Sequence, residues 1–454
     1  MNLLRWVADI GTVIGVVISS ADTASEHIGH HLLDLADWDV TIDDSRSASA
    51  GGGRVYRTTG FELRTVSTLH IHLENAGDLF EDPTFIVFAS RHSGDSGPLL
   101  TGHFTGNIGQ TNEFGGEPLT VAMAAPAAHH QLIRSLATFA PPEYNVGVEC
   151  THHGPSEVGY PSLFAELGSG PDQWEDPSAA RAVARAILSL KGSQPHQAKQ
   201  LVGFGGGHYA PRFERIVRET NWAVGHIAAD WALTDLHEHE ALESVVDQLF
   251  EKSESRIAVI DRENRLIQRA IEKLGYTVVS ETWVRETSAL SLSLVETVET
   301  RLGHVDDGTR FGITAADWTG EFEIYELPAK LVDLATTVDR TATLDAAHRR
   351  CIAYSTAEGA TRFTGRIAVT DDEVHNRMVS DMLDLLAEKF TIERKNDQVT
   401  LTERSFDPEK AAQLGVTEGP AFGQLANGES IEVDDRLIDP EDVHSVRKHI
   451  ISLK

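Results

Sequence analysis

The segment "KQLVGFGGGHYAPRFERIVRE", Lys199 to Glu219, has the order of an apolar strand, a glycine-rich loop and a helix. The helix is predicted to begin after Pro211, because proline suits the first helical turn. Apolar strands that end in polar loops also occur in "TVIGVVISSAD" (Thr12–Asp22), "PTFIVFASRHSGDSG" (Pro83–Gly97) and "NVGVECTHHGP" (Asn145–Pro155). Strands that alternate with helices are typical of a largely parallel sheet covered on both faces. The sequence therefore predicts an α/β fold.

The predicted fold has two parts after a short N-terminal extension. Residues 1–12 are expected to be an extension or a misplaced start, because the first convincing strand begins near Val13. Residues 13–287 predict an α/β domain with a mainly parallel sheet flanked by helices. Residues 288–454 contain 5 of the 21 histidines and no strand that ends in histidine, so we predict an additional C-terminal α+β domain of unknown role. The glycine-rich stretch Gly97–Gly116 is predicted to be a long loop.

The 454-residue chain is strongly acidic, with 39 basic and 69 acidic residues and a formal net charge of −30. Only 10 of the basic residues are lysine. A dense carboxylate coat favours a protein adapted to a salt-rich cytoplasm, while an ordinary acidic protein is the alternative reading. Because molar salt shortens the Debye length to about 3 Å, the negative charge does not exclude a nucleic-acid partner.

The two cysteines, Cys150 and Cys351, indicate a reducing compartment and no disulfide partner. The first residues do not resemble a signal peptide, because Asp9 interrupts the apolar run. No stretch reaches the roughly 18 uncharged apolar residues that a membrane span needs. We therefore expect a cytoplasmic protein without a membrane partner, and the sequence indicates no oligomeric state.

Polar side chains follow several predicted strands at their carboxyl ends, which meet at one edge of a parallel sheet, where ligands bind. The residues expected to converge there are Asp22, Arg91, His92, Glu149 to His153, His208 and Asp261. Histidine, carboxylate and thiol groups are all zinc ligands. The chain has no HExxH or CxxC motif, and a single histidine is more often an ordinary imidazole. A shared metal site and unrelated histidines therefore both remain open.

Two local features have two interpretations each. Cys150 is either a nucleophile beside a histidine or a buried structural thiol. Gly205 to Gly207 either cradle phosphate with backbone N–H groups or only permit close backbone approach, since the P-loop lysine is missing. His129 and His130, on a predicted helix, are expected at the surface.

Six stretches occur in order along residues 13–287: "FASRHSG", "LTGHFTGN", "ECTHHGPSEV", "PSLFAELGS", "GFGGGHYAPR" and "VGHI". Together they resemble the archaeal and plant type of D-aminoacyl-tRNA deacylase. The resemblance implies hydrolysis of the ester between a D-amino acid and the 3′ end of tRNA, which recycles mischarged tRNA. It also implies Zn²⁺ as cofactor, D-aminoacyl-tRNA as partner, and a core similar to those of peptidyl-tRNA hydrolases and nucleoside phosphorylases.

Individual roles at this site are our interpretation of the resemblance. We expect Glu149, His152 and His92 to be catalytic, with Glu149 as a metal ligand or general base. The expected metal ligands are His103, His153 and His208. The expected substrate-binding residues are Arg91, Thr105, Asn107, Gly205, Gly206, Gly207 and Tyr209.

Two other functions remain open at this point. One is a zinc-dependent hydrolase of another ester or amide, such as peptidyl-tRNA, and the other is a non-catalytic tRNA-binding protein. In the C-terminal part, Leu414 to Val443 resembles a non-catalytic segment of ribonuclease Z. Because that enzyme's metal motif is missing from the sequence, a plain structural addition is the alternative reading.

Overall fold

The structure is a computed structural model that describes residues 13–236, 240–434 and 436–453. The chain divides into two compact units, with the boundary between Ser288 and Ala289. The predicted N-terminal extension, residues 1–12, lies outside the described residues. Within the described ranges, every helix is too short or too polar to cross a lipid bilayer.

The first unit is built on a mixed sheet of eight strands. The first ten strands of the chain are β1 (Ile14–Ser19), β2 (Asp39–Asp43), β3 (Gly53–Thr58), β4 (Phe61–Val66), β5 (Phe85–Arg91), β6 (Leu99–His103), β7 (Gly106–Asn107), β8 (Thr120–Val121), β9 (Asn145–Val148) and β10 (Ser162–Gly168). Eight of them form the large sheet in the order β2-β3-β4-β1-β5-β10-β6-β9. Its centre, β4-β1-β5-β10, is parallel, whereas β10 and β6 pair antiparallel. Strands β7 and β8 form a separate pair.

A second, fully parallel sheet completes the first unit. Its strands are β11 (Gln200–Phe204), β12 (Ala223–Ala228), β13 (Ile257–Ile260) and β14 (Thr277–Val278), in the order β12-β11-β13-β14. The two sheets meet where Glu149 and Tyr209 form a bridge and the Cys150 N–H donates to the His208 carbonyl over 2.9 Å. The segments that follow β9 and β11 are therefore fixed against each other, and the predicted mainly parallel α/β fold is confirmed.

Helices cover the sheets of this unit. They are α1 (Thr23–Leu35), α2 (Pro126–Phe139), α3 (Pro171–Trp174), α4 (Pro177–Leu188), α5 (Pro211–Glu219), α6 (Asp230–Leu236), α7 (Leu242–Lys252), α8 (Arg265–Lys273) and α9 (Glu281–Glu286). Helix α1 begins after Asp22 because its carboxylate accepts the Ser25 N–H at 3.1 Å, which is an N-cap bond. Helix α5 starts at Pro211, as the proline indicated.

The stretch Gly97–Gly116 differs from the predicted long loop, because β6 occupies Leu99–His103 in the interior of the large sheet. All five residues of β6 are buried, and the strand pairs with β10 on one side and β9 on the other. Thr101, Gly102 and His103 give the segment no long apolar run, so its strand character comes from tertiary pairing and not from local propensity. The pairing places His103 inside the sheet.

A packed aromatic core supports the large sheet. Phe88 on β5 and Phe164 on β10 are fully buried and stack with ring centroids 4.7 Å apart. Val17 on β1 belongs to the same cluster. Since protein interiors are packed as densely as organic crystals, the ends of these strands are held in fixed positions.

The second unit is a separate α+β structure, as predicted. Its helices are α10 (Leu292–Arg301), α11 (Ala329–Val338), α12 (Arg340–Arg350), α13 (Asp372–Leu386), α14 (Pro408–Gln413) and α15 (Pro420–Ala426). Its strands are β15 (Thr309–Phe311), β16 (Glu323–Glu326), β17 (Ala353–Ala357), β18 (Arg362–Val369), β19 (Thr391–Lys395), β20 (Gln398–Phe406), β21 (Ile431–Val433), β22 (Arg436–Ile438) and β23 (His444–Ser452). They form the sheets β15-β17-β18-β16, β19-β20-β23 and β21-β22, in which neighbouring strands run antiparallel.

Candidate active site and metal-binding residues

Strand ends of the first unit bring imidazole and carboxylate groups to one place. His92 directly follows β5, His103 ends β6, and Glu166 lies within β10. The segment after β9 carries Glu149, His152 and His153, and the segment after β11 carries His208. We refer to the side chains that meet there as the His/Glu cluster, which consists of His92, His103, Glu149, His152, His153, Glu166 and His208.

Three histidines of the cluster lie ring against ring. The ring centroid of His103 is 4.4 Å from that of His152 and 4.9 Å from that of His153. Each ring donates its Nδ1–H to a backbone carbonyl, over 3.0 Å for His103, 2.8 Å for His152 and 2.7 Å for His153. These bonds fix the rings and leave the Nε2 lone pairs available, which is how proteins orient metal-binding imidazoles.

Adjacent histidines enter the same cluster because the chain leaves the extended conformation after β9. His153 has a left-handed backbone with φ of 45°, which is uncommon for a residue other than glycine. In a continuous strand His152 and His153 would point to opposite faces of the sheet. Strained conformations of this kind persist where the surrounding structure requires them, often at functional sites.

Two buried carboxylates lie among the imidazoles. Glu149 places Oε2 2.8 Å from His208 Nε2 and Oε1 3.2 Å from His92 Nδ1. Glu166 lies 3.5 Å from both His92 Nδ1 and His103 Nε2. The opposite nitrogen of His92 is 2.9 Å from the Tyr209 hydroxyl. Two carboxylates therefore share one set of histidines.

The donor atoms of the cluster fit a metal ion. One ligand atom from each of His103, His152 and His153 lies within 4.8 Å of the others, and the same holds for the group of His92, Glu149 and His208. Both carboxylate oxygens of Glu149 and the Nε2 of His103 are buried without a hydrogen bond of normal geometry. Such buried polar atoms are costly unless something binds them. Imidazole and carboxylate are donors that zinc accepts.

The charges in the cluster are strongly coupled. Burial lowers the pKa of His92, but Glu149 and Glu166 outweigh burial and raise it to about 11. Burial lowers the pKa of His153 to about 4 and that of His152 well below its ordinary value, and the neighbouring imidazoles add to the effect. Burial opposes ionisation of Glu149, yet the facing imidazoles hold its pKa well below the usual range. For His103, burial also lowers the pKa, but Glu166 outweighs burial and raises it, so a metal ion would have to displace a proton there. The result is an ionised Glu149 beside two neutral rings, His152 and His153, which is the state that metal ligation requires.

A cavity of about 690 Å³ opens onto the cluster. Its walls include His92, His152, His153 and Glu166 of the cluster and, outside it, Arg91, Asn107, Phe114 and Trp231. The volume lies in the range of small-molecule sites, which are concave and carry a few convergent polar groups. We therefore regard this cavity as the candidate active site.

Arg91 lines the cavity beside Trp174. Its guanidinium lies 5.2 Å from the ring centroid of Trp174, and its backbone N–H donates to Asp22 over 3.0 Å. Asp22 also lines the cavity. Asp261 does not join them, because its carboxylate pairs with Arg212 at 3.1 Å.

The structure separates the predicted substrate-binding residues into two groups. Arg91 and Asn107 line the cavity, and Tyr209 contacts His92. The Asn107 amide donates to the Gly115 carbonyl over 2.8 Å, so this side chain also holds the loop around residue 115. Among the described residues that form the cavity wall, neither Thr105 nor Gly205 to Gly207 occurs.

Two other sequence expectations have a clear outcome in the structure. The Cys150 thiol is buried, with Sγ 3.7 Å from the Gly205 carbonyl oxygen, and burial raises its pKa to about 12, as does the charge of Glu149. This environment is that of a structural thiol. The expectation that His129 lies at the surface is wrong, because α2 turns its ring into the interior against Phe104.

Glu166 is the cluster residue to which the sequence analysis gave no role. The sequence feature that could have identified it is a glutamate inside the apolar run "SLFAELG" (Ser162–Gly168), which forms a strand that is buried along its whole length. A charged residue in such a run has to be paired or bound to a ligand.

Comparisons with known proteins identify the family of the chain. Residues 79–279 match the family model described as D-aminoacyl-tRNA deacylase. The chain is 48% identical to a D-aminoacyl-tRNA deacylase of Natronomonas pharaonis, across 96% of this chain and 99% of the relative. It is 32% identical to one of Methanoregula boonei, across 97% and 99%. A crystal structure described as a conserved protein of unknown function superimposes with a TM-score of 0.54 at 31% identity, covering 61% of this chain and 97% of its own. The chain belongs to the D-aminoacyl-tRNA deacylase family.

Proposed function

We propose that this protein hydrolyses the ester bond between a D-amino acid and the 3′ end of tRNA, with zinc as its metal cofactor. The observation that carries the proposal is the group of His103, His152 and His153, whose Nδ1 atoms are engaged by backbone carbonyls and whose ligand atoms lie within 4.8 Å of one another, next to two buried carboxylates and the cavity. Family membership supports the tRNA ester as substrate, since the relatives are named for it. Charged tRNA is used in the cytoplasm, so we propose that the protein works there.

His103, His152 and His153 would hold the zinc ion, because their Nδ1 bonds fix all three rings for ligation. When bound, zinc supplies a Lewis acid for the ester carbonyl and makes water easier to deprotonate. This assignment differs from the sequence expectation in two residues. His152 joins the ligands, and His208 pairs with Glu149.

The carboxylate of Glu149 is the proposed general base. It lies 2.8 Å from His208 Nε2 and 3.7 Å from His152 Nε2, so a proton that it accepts from water has a neighbouring acceptor in His208. The His208 side chain is 45% exposed, so it can reach both Glu149 and a substrate in the cavity. We assign to His208 the transfer of this proton to the leaving 3′ oxygen of the ribose.

Substrate binding would use the side chains that face the cavity. Arg91 is held by Trp174 and would pair with the terminal phosphate, because a guanidinium binds phosphate through two parallel hydrogen bonds. Tyr209 keeps His92 in place through its hydroxyl group. His92 in turn contacts both Glu149 and Glu166, and therefore fixes the distance between the two carboxylates.

The proposal is tested with the full-length protein in molar salt. We expect hydrolysis of D-tyrosyl-tRNA but not of L-tyrosyl-tRNA, zinc in the purified protein by metal analysis, and loss of activity on chelation with recovery when zinc is returned. Hydrolysis of peptidyl-tRNA in place of the D-aminoacyl ester would support the other hydrolase. Binding of tRNA with no turnover and no bound metal would support the non-catalytic alternative.

Glu149→Gln separates the roles of base and ligand, because glutamine keeps the shape of the side chain and removes its charge. We expect kcat/KM for D-tyrosyl-tRNA to fall by about 100-fold or more, the scale of general-base catalysis. Zinc content should stay unchanged, whereas His153→Ala should lose zinc. The matched control is Glu157→Gln, at an exposed position on the same loop. Loss of zinc in Glu149→Gln would instead make Glu149 a ligand.

A further inference from the structure

We propose that Phe114 and Trp231 form an aromatic platform on which the unpaired bases at the 3′ end of tRNA stack when the ester enters the cavity. This inference rests on the proposed function, because it names the contact that would hold the tRNA end at that same site. It assigns a binding role to two residues that the sequence motifs do not include.

The position of exposed aromatic rings carries the inference. Nine large hydrophobic side chains of the described residues are exposed, and seven of them are aliphatic. The two aromatic ones are Phe114, which is 66% exposed, and Trp231, which is 49% exposed. Both line the active-site cavity. Large aromatic rings are normally buried, and their exposure at one cavity indicates a ligand with flat surfaces.

Phe114 is held in place by its own backbone. The Phe114 carbonyl accepts the N–H of Gly154, the residue after His153, over 3.0 Å. The next residue, Gly115, has φ of +79°, and a Cβ there would lie 1.8 Å from the Ile71 carbonyl oxygen. Asn107 donates to the Gly115 carbonyl over 2.8 Å. The loop is therefore pinned beside the metal-binding histidines, and a stacked base would not have to order it.

Trp231 stands on a different element. It lies in the first turn of α6, where the N–H of Asp230 donates to the Gly206 carbonyl over 2.9 Å. The glycine segment 205–207 thus supports the helix that carries the ring. The glycine segment therefore has a structural role next to the cavity, although it does not line the cavity itself.

The difference in burial between the histidines and the aromatic platform indicates the direction in which the substrate lies along the cavity. His103 is fully buried, whereas both rings of the platform are exposed. When the ester lies at the buried histidines, the nucleotides attached to it therefore lie at the exposed end of the cavity. Aromatic side chains bind unpaired bases by stacking on their faces.

Electrostatics favours bases over phosphates as the group that the platform binds. Among the described residues that line the cavity, Arg91 is the only arginine or lysine, and Asp22, Glu113 and Glu166 are acidic. The whole chain carries a formal charge of −30. Phosphate contacts also weaken steeply as salt rises. Stacking needs no opposite charge and tolerates any base.

The first experiment measures binding and does not depend on turnover. Uncharged tRNA and the same tRNA without its terminal CCA are titrated against the wild-type protein and the variants F114A, W231A and F114A/W231A. We expect the wild type to bind the complete tRNA about 10-fold more tightly, on the scale of one or two stacked bases. The double variant should bind both RNAs equally. Equal binding of both RNAs by the wild type would overturn the proposal, and so would an unchanged preference in the double variant.

Controls separate stacking from loss of surface or of fold. Leu266→Ala removes an exposed hydrophobic side chain outside the cavity lining and should leave the preference unchanged. Trp231→Phe keeps an aromatic face and should retain most of the preference for complete tRNA. Loss of affinity for both RNAs by the same factor in F114A/W231A would mean a structural effect, and would overturn the assignment.

Turnover distinguishes the bases from the amino acid. If the platform holds bases, F114A and W231A should each lower kcat/KM about 10-fold, mainly through KM, and equally for D-tyrosyl-tRNA and D-alanyl-tRNA. A loss confined to D-tyrosyl-tRNA would mean that the rings bind the amino-acid side chain, and would overturn the proposal. If the wild type prefers complete tRNA but hydrolyses no ester, the proposed function fails and the platform stands. If it hydrolyses the ester while the variants bind like the wild type, the platform fails and the function stands.

Discussion

At the scale of single residues, the two buried carboxylates of the His/Glu cluster carry the strongest functional signal. Glu149 and Glu166 are almost fully buried, and burying a charge costs several kcal/mol unless it is well paired. Replacement of such groups by apolar residues of the same volume is often neutral or stabilising. Their presence among five imidazoles is therefore better explained by chemistry than by stability.

Cys150 provides a prediction at the same scale. Its thiol is buried against the Gly205 carbonyl, and burial raises its pKa to about 12, so it stays protonated and is a poor nucleophile. We expect Cys150→Ala to keep kcat for D-aminoacyl-tRNA within about threefold and to lose about 1 kcal/mol of unfolding free energy, since a small buried group is removed. Deacylation rates and denaturant titration measure the two quantities.

Cys351→Ala is the matched control, because Cys351 is a buried free thiol in the second unit. It should show a similar loss of stability with no change in rate. A drop of several orders of magnitude in kcat for Cys150→Ala alone would establish the thiol as nucleophile and contradict the proposed mechanism.

At the scale of elements, strands with long apolar runs could be predicted from the sequence, and strands defined by tertiary pairing could not. β1, β5 and β11 are buried on both faces and consist of near-continuous apolar residues. The interior strand β6 contains Thr101, Gly102 and His103, which are typical of a loop. Its neighbours β10 and β9 determine its conformation, and pairing between distant segments is invisible to local propensity.

The candidate site follows the same division. Histidines after β5, β9 and β11 were predicted to meet because the carboxyl ends of parallel strands share an edge. They do meet, but for a different reason: β9 runs antiparallel to β5, and β11 belongs to the second sheet, which joins β9 at the Glu149–Tyr209 bridge. Glu166 was missed because it lies inside β10 and not after it. His129 was placed wrongly, because helical spacing shows which residues share a face but not that a second layer covers it.

His226 on β12 gives a prediction about the coupling between two elements. Its Nε2–H donates to the Ala122 carbonyl over 2.8 Å, and its Nδ1 accepts the Thr151 hydroxyl over 3.0 Å. The bond that Nδ1 accepts requires a neutral ring, and burial lowers the pKa of His226 to about 4. The folded state therefore binds this proton less readily than the unfolded state. Its contribution to stability is complete above the ordinary pKa of 6.5 and is lost as the pH falls from there toward 4.

From those two pKa values, the His226 contribution that is lost on acidification is roughly 3 kcal/mol. We expect His226→Gln to have a lower free energy of unfolding than the wild type at pH 7.5. Between pH 7.5 and pH 4.5, the unfolding free energy of the variant should fall by about 3 kcal/mol less than that of the wild type. Denaturant titrations at constant salt across this range measure the difference. His72→Gln, at an exposed position, is the control. Parallel stability curves for the wild type and His226→Gln would contradict the prediction.

At the scale of the whole molecule, the surface charge sets the conditions under which the fold is stable. The 69 acidic and 39 basic residues leave a formal charge of −30, and self-repulsion of that size destabilises a compact state. At 0.1 M salt the Debye length is about 10 Å, so neighbouring carboxylates interact, whereas at molar salt it is about 3 Å. Stability of this chain should therefore depend on ionic strength far more than that of a neutral protein.

We expect the melting temperature to fall by about 10 °C or more when KCl is lowered from 3 M to 0.1 M, equivalent to a few kcal/mol of unfolding free energy. Thermal unfolding followed by circular dichroism at constant pH measures it. Sucrose at matched osmolality separates charge screening from the general stabilising effect of an excluded solute. It stabilises compact states by exclusion from the protein surface and screens no charge. If repulsion among carboxylates is the cause, sucrose in 0.1 M KCl should recover only part of the loss. Full recovery in sucrose, or a melting temperature independent of KCl, would show that charge repulsion does not limit this fold.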